Sequence, residues 1–121
     1  MQTLYMLIGL PGSGKSTVAK EMAETEDTII VSTDKIREEL FGDEAIQNNE
    51  KYSGVNVFER AYTLISIYLR NGYSVIFDAT NTKRKYRKTF IEKFKRWQEI
   101  GIKFHAILIA TPYEKCLENN L

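Results

Sequence analysis

Short apolar runs alternate with longer amphipathic stretches along the chain. Leu4-Tyr5-Met6-Leu7-Ile8 is too short for a helix and long enough for a buried strand. Val18, Ala19, Met22 and Ala23 then recur at helical spacing, and Thr28-Ile29-Ile30-Val31 is a second, β-branched strand. Ser32-Thr33-Asp34 offers three N-caps for the next helix, whose apolar side is Ile36, Leu40 and Phe41 and which Gly42 is placed to end. Residues 43–53 are mostly polar and aperiodic, and they read as a connection. Val55, Phe58, Ala61, Tyr62, Ile65 and Leu69 repeat at threes and fours, which predicts a long amphipathic helix stopped by Asn71-Gly72. Residues 73–78 form a third strand ending on Asp78. Thr80-Asn81-Thr82 caps one further helix with the stripe Phe90, Ile91, Phe94 and Trp97, ending near Gly101. Residues 103–109 make a fourth strand, and Thr111-Pro112 opens a last helix.

Strands alternating with helices predict a three-layer α/β/α arrangement, with a parallel sheet, right-handed crossovers and helices on both faces. Ligands in such sheets gather at the carboxyl ends of the strands. The residues after each strand are therefore the ones to search for chemistry. The length of 121 residues suits one domain. No apolar run is long enough to cross a membrane, the N-terminus lacks the basic start and cleavage site of a signal peptide, and the one cysteine, Cys116, cannot form an internal disulfide. A cytoplasmic protein with no membrane partner is expected. His105, Cys116 and Trp97 read as packed side chains rather than catalysts.

The first inter-element stretch is Gly9-Leu10-Pro11-Gly12-Ser13-Gly14-Lys15-Ser16-Thr17, which fits G-x-x-x-x-G-K-[ST] between a strand and a helix. Glycines let successive backbone N–H groups approach phosphate oxygens, and the helix N-terminus adds positive potential. Gly9, Pro11, Gly12, Ser13, Gly14, Lys15, Ser16 and Thr17 are thus candidates to hold a nucleoside triphosphate. Lys15 would reach the β- and γ-phosphates and Ser16 would ligate Mg²⁺. Asp78, ending a strand, is the candidate metal-side carboxylate, or else the start of a turn. Asp34 follows the second strand with Arg37 one turn beyond. Asp34 could take the proton of an attacking hydroxyl while Arg37 orients an acceptor phosphate, or the two could be a cap and a surface cation.

Charge adds one asymmetry. Residues 83–96 carry +7 while the remainder carries −6, for a net charge of +1. Lys83, Arg84, Arg87 and Lys88 fall at a helix start, where the macrodipole disfavours cations. Such a segment fits either an anionic partner or a solvated face.

Together, Gly-Leu-Pro-Gly-Ser-Gly-Lys-Ser-Thr, then Ser-Thr-Asp-Lys-Ile-Arg, then Asp-Ala-Thr-Asn resemble the bacteriophage-type polynucleotide 5′-hydroxyl kinase group of P-loop kinases. The resemblance covers nearly the whole chain. It implies a P-loop NTPase fold of the nucleotide-kinase kind and transfer from ATP–Mg²⁺ to the 5′ end of single-stranded DNA or RNA. It makes Lys15, Asp34 and Arg37 catalytic and puts Ser16 and Asp78 at the metal. Thr80 and Asn81 would shape the acceptor site, with Arg84 and Arg87 beside it. The family continues into an arginine-bearing lid and a fifth strand, and Asn119 stands where relatives often carry arginine. The expectation is therefore a kinase domain over residues 1–121 that is C-terminally incomplete. A P-loop kinase for a small metabolite or nucleoside, and an ATP-binding module inactive without its lid, are the alternatives.

Overall fold

Strands apolar on both faces need cover on both faces, and the chain supplies it from two sides of one sheet. The computed structural model describes residues 2–9, 14–25, 27–41, 55–79 and 84–109. The elements are β1 (Thr3–Ile8), α1 (Lys15–Met22), β2 (Thr28–Ser32), α2 (Thr33–Phe41), α3 (Val55–Arg70), β3 (Ser74–Asp78), α4 (Arg84–Lys93), α5 (Lys95–Glu99) and β4 (Lys103–Leu108). All ladders are parallel, in the order β2-β3-β1-β4. This is the predicted parallel α/β architecture of the P-loop NTPase kinase-like fold.

Alternation along the strands divides the core. Leu4, Met6, Val31, Val75 and Phe77 face Val57, Ala61, Ile65 and Leu69 of α3, with Phe90 and Phe94 beside them. On the other face Leu7 and Ile76 pack against Ala19 of α1. Phe77 and Phe90 are stacked at 4.9 Å, and Tyr62 meets Phe94 edge-on at 5.6 Å. Burial among these rings raises the Tyr62 phenol above its ordinary pKa. Ile76 is wholly buried between sheet and α1. Ile76→Val should therefore cost about 0.5–1.5 kcal/mol, read as a lower urea midpoint at unchanged slope.

α3 ends where Asn71-Gly72 predicts. Gly72 takes φ +89°, Tyr73 N–H donates to Tyr68 O at 3.1 Å, and Gly72 N–H donates to Leu69 O at 3.3 Å. That pattern is a Schellman end, and the Tyr68–Tyr73 ring contact at 6.1 Å supplies its apolar clasp.

Four expectations need correction. The helix carrying Phe90 and Trp97 is two helices, broken at Phe94 (φ −106°, ψ 13°), although Trp97, half-buried, still packs against the core as expected. Ile91 is exposed, because the inward face is taken by Phe90 and Phe94. Leu40 of α2 is also exposed, while Ile36 is buried. His105 is exposed rather than packed, because β4 is the outermost strand among the described residues, where Leu108 is 70% exposed. Its ring contact is with Tyr5, directly across the β1–β4 ladder, at 5.9 Å. Gly42, residues 43–53, Thr82, the helix from Thr111-Pro112, Cys116 and Asn119 lie outside the described residues. Among the described residues no helix is long and apolar enough to cross a membrane.

Candidate functional site

The order β2-β3-β1-β4 sets the carboxyl ends of β1 and β3 side by side, with β2 next to β3. Ser32 pairs in register with Asp78, so the starts of α1 and α2 and the end of β3 meet on one rim. Gly9 follows β1 and is buried. Gly14 precedes α1 at φ +86°, a left-handed conformation natural to glycine, and no neighbour crowds the position of a Cβ. The requirement at Gly14 is therefore conformational rather than spatial.

Lys15 turns inward from the first turn of α1. Its Nζ lies 3.4 Å from Asp78 Oδ1, and each side chain is only 10% exposed. In a pair this sheltered, each charge offsets part of the other's desolvation cost. It also puts an ammonium and a carboxylate where a triphosphate and a divalent cation would each find an opposite charge. Ser16 and Thr17 are exposed beside it. Among the described residues no cluster of three or more His, Cys, Asp or Glu side chains forms. That donor set fits Mg²⁺, which takes one or two protein oxygens and fills its shell with phosphate and water. Ser16, the residue after Lys15, and Asp78, the ion-pair partner of Lys15, are the candidate protein oxygens for such an ion.

The second pair lies on α2. Ser32, of the three candidate caps, makes the capping bond: its Oγ accepts from Lys35 N–H at 3.4 Å. Asp34 sits in the first turn with an 88% exposed carboxylate, and Arg37 Nη1 donates to its Oδ1 at 3.3 Å. The Arg37 side chain is 21% exposed, and its buried Nε has no hydrogen-bond partner among the described residues. A buried guanidinium donor without an acceptor is costly, and an anion reaching it would remove that cost.

The basic helix start is as the spacing predicts. α4 opens at Arg84 with no acidic residue in its first turn. Arg84, Lys85 and Lys88 are exposed and Arg87 is half-buried. Tyr86 is not among the residues named by motif or charge, although an aromatic residue flanked by cations on both sides is itself a signal. Two clefts of about 450 and 600 Å³, beside Arg70 of α3 and beside Tyr5 and Lys103 respectively, contain none of these groups. Leu10, Pro11, Gly12, Ser13, Thr80, Asn81 and Lys83 lie outside the described residues.

Residues 4–121 match the protein-family model described as AAA domain. Two curated relatives, the uncharacterized proteins Rv2004c of Mycobacterium tuberculosis and Mb2027c of Mycobacterium bovis, are each 34% identical over 86 residues. That alignment takes in 64% of this chain, which spans only 17% of either relative. Among solved structures, a chain of the Pnkp1/Rnl/Hen1 complex superposes with a TM-score of 0.78 at 22% identity, over 97% of this chain and 38% of that one. The APS kinase CysC of Mycobacterium tuberculosis, in complex with AMPPNP and APS, gives 0.69 at 20% identity, over 98% and 68%. A sugar kinase from Janibacter sp. HTCC2649 gives 0.69 at 16% identity, over 99% and 66%.

Proposed function

Because the chain belongs to the AAA domain family, matched over residues 4–121, we propose that it transfers the γ-phosphoryl group of ATP to a hydroxyl acceptor, the 5′-hydroxyl of a polynucleotide. The observation that carries this reading is the meeting on one rim of two ion pairs, Lys15–Asp78 and Asp34–Arg37. One pair suits a triphosphate with its metal, and the other suits an acceptor with its proton.

Lys15 leaves Asp78 for the β- and γ-phosphate oxygens, and backbone N–H groups at the start of α1 hold the same anion. Ser16 and Asp78 would hold Mg²⁺, which when bound neutralises charge on the phosphate oxygens. Asp34 accepts the proton of the acceptor hydroxyl as its oxygen bonds to the γ-phosphorus. The bond from that phosphorus to the β–γ bridging oxygen breaks, and ADP leaves. Arg37 fixes the acceptor by pairing with its phosphate. The scaffold is shared with APS and sugar kinases as well as with Pnkp1, so the acceptor is read from Arg37 and from α4 rather than from the fold.

The test is a transfer screen of the full-length protein against 5′-hydroxyl DNA, 5′-hydroxyl RNA and a panel of small hydroxylic metabolites. Transfer to the metabolites alone makes the protein a small-molecule kinase. ATP binding without transfer to any of them makes it a binding module. Salt dependence supplies a second measure. If two to four phosphates of a single strand are neutralised, log K should fall against log[salt] with a slope of roughly −1.4 to −2.8. Replacing Arg84 and Arg87 together should flatten that slope and weaken all sequences alike, since phosphate contacts carry no base information. A salt-independent affinity would reject α4 as a strand-binding surface.

A further inference from the structure

The ring of Tyr86 lies nearly parallel to that of Phe58, with centroids 5.9 Å apart and planes inclined by 13°. Phe58 in turn meets Phe77 edge-on at 6.4 Å and Tyr62 at 6.1 Å. Phe77 immediately precedes Asp78. The rings thus run from the buried core on the α3 face of the sheet, opposite to the face on which Asp78 meets Lys15, out to Tyr86, which is 38% exposed. Residues spaced by one project about 100° apart around a helix, so Lys85 and Arg87 flank the ring on either side. Arg84 and Lys88 complete a cationic surround on the first turns of α4.

This combination differs from a merely basic helix. Phosphates need only cations, whereas a partly exposed aromatic ring, held in an offset stack by a second ring, suits a flat apolar group. Unpaired nucleobases offer that group, and stacking tolerates any sequence because every base has a π-face. The stack also matters energetically: a ring already held by Phe58 loses little freedom when a base settles on it. We propose that Tyr86 is a stacking residue for an unpaired base near the 5′ end of a single-stranded acceptor, with the α4 cations following the adjoining phosphates. The inference rests on the polynucleotide reading and adds to it the site that holds a base.

The experiment uses the full-length protein and single-stranded 5′-hydroxyl oligonucleotides carrying 2-aminopurine at each of the first positions in turn. Stacking quenches this base. Wild-type protein should quench it at one position, and Tyr86→Leu, which keeps an apolar contact with Phe58, should abolish the quench. Affinity should fall by about 5- to 150-fold, with the salt slope and Mg·ATP affinity unchanged. Tyr86→Phe should retain both quench and affinity. Melting temperatures close to wild type in the Leu and Phe variants ensure that a folded protein is being read. Wild-type quenching and affinity in Tyr86→Leu would overturn the stacking site while leaving the polynucleotide reading intact. A folded, ATP-binding wild-type protein that binds no oligonucleotide would overturn the inference together with the reading beneath it.

Discussion

Asp34→Asn should lower phosphoryl transfer by about 10²–10⁴-fold, the range expected when a positioned general base is removed. The substitution is close to isosteric, and its amide oxygen can still accept from Arg37. Helix α2 does not depend on it, because Ser32 makes the cap bond. Stability and Mg·ATP affinity should therefore stay near wild type while the single-turnover transfer rate collapses. The 88% exposure of the carboxylate leaves it reachable by an acceptor hydroxyl. A variant that transfers at the wild-type rate would reduce Asp34 to a surface partner of Arg37.

Lys15→Ala should act on binding and on stability at once. Loss of a charged donor to phosphate costs about 1.5–3 kcal/mol, so Mg·ATP affinity should fall by roughly 10- to 150-fold in calorimetry. Without nucleotide the same change strands the sheltered Asp78 carboxylate, because its ion-pair partner is Lys15 at 3.4 Å. Leaving that group unpaired should cost about 1–3 kcal/mol in urea unfolding. Adding Asp78→Asn should restore part of the stability and none of the affinity, since the amide carries no charge and the ammonium is still missing. Wild-type Mg·ATP affinity in a folded Lys15→Ala protein would end the phosphate-loop reading. Equal stability of the single and double variants would show that the ion pair carries no net energy.

The parts of the fold legible in the sequence were those fixed by local pattern. β1 and β3 are continuous apolar runs because both faces of a central parallel strand are covered, and period alone finds such runs. The end of α3 was legible because Asn71-Gly72 writes a left-handed turn into the chain. What stayed hidden depends on neighbours distant in sequence. Phe90, Phe94 and Trp97 fall at spacings that one helix satisfies, and nothing at Phe94 marks a break, so the division into α4 and α5 is set by packing. His105 sits in a strand as apolar as the others, and only the strand order reveals it in the outermost strand among the described residues. At the candidate site, Lys15, Asp34, Arg37 and Asp78 were nameable from motif and strand position. The pairing of Lys15 with Asp78, and the support of Tyr86 by Phe58, required the sheet and helices to be assembled.

The strand order also bears on how the chain comes to be folded. β1 forms ladders with β3 and β4, and β2 with β3, so neither of the first two strands pairs with the other. Two side-chain bonds at the start of β1, Gln2 Nε2 to Tyr73 O at 2.9 Å and Thr3 N–H to Ser74 Oγ at 3.0 Å, each join positions 71 residues apart. A chain leaving the ribosome N-terminus first therefore presents its glycine loop, α1 and β2 long before any ladder partner has been synthesised. The loop entropy of bringing such distant segments together must be overcome before hydrogen bonds compensate for it. The strand that leads into the most local signature in the sequence thus gains its ladder partners only once β3 and β4 have been made, and nucleotide binding should report completion of β3.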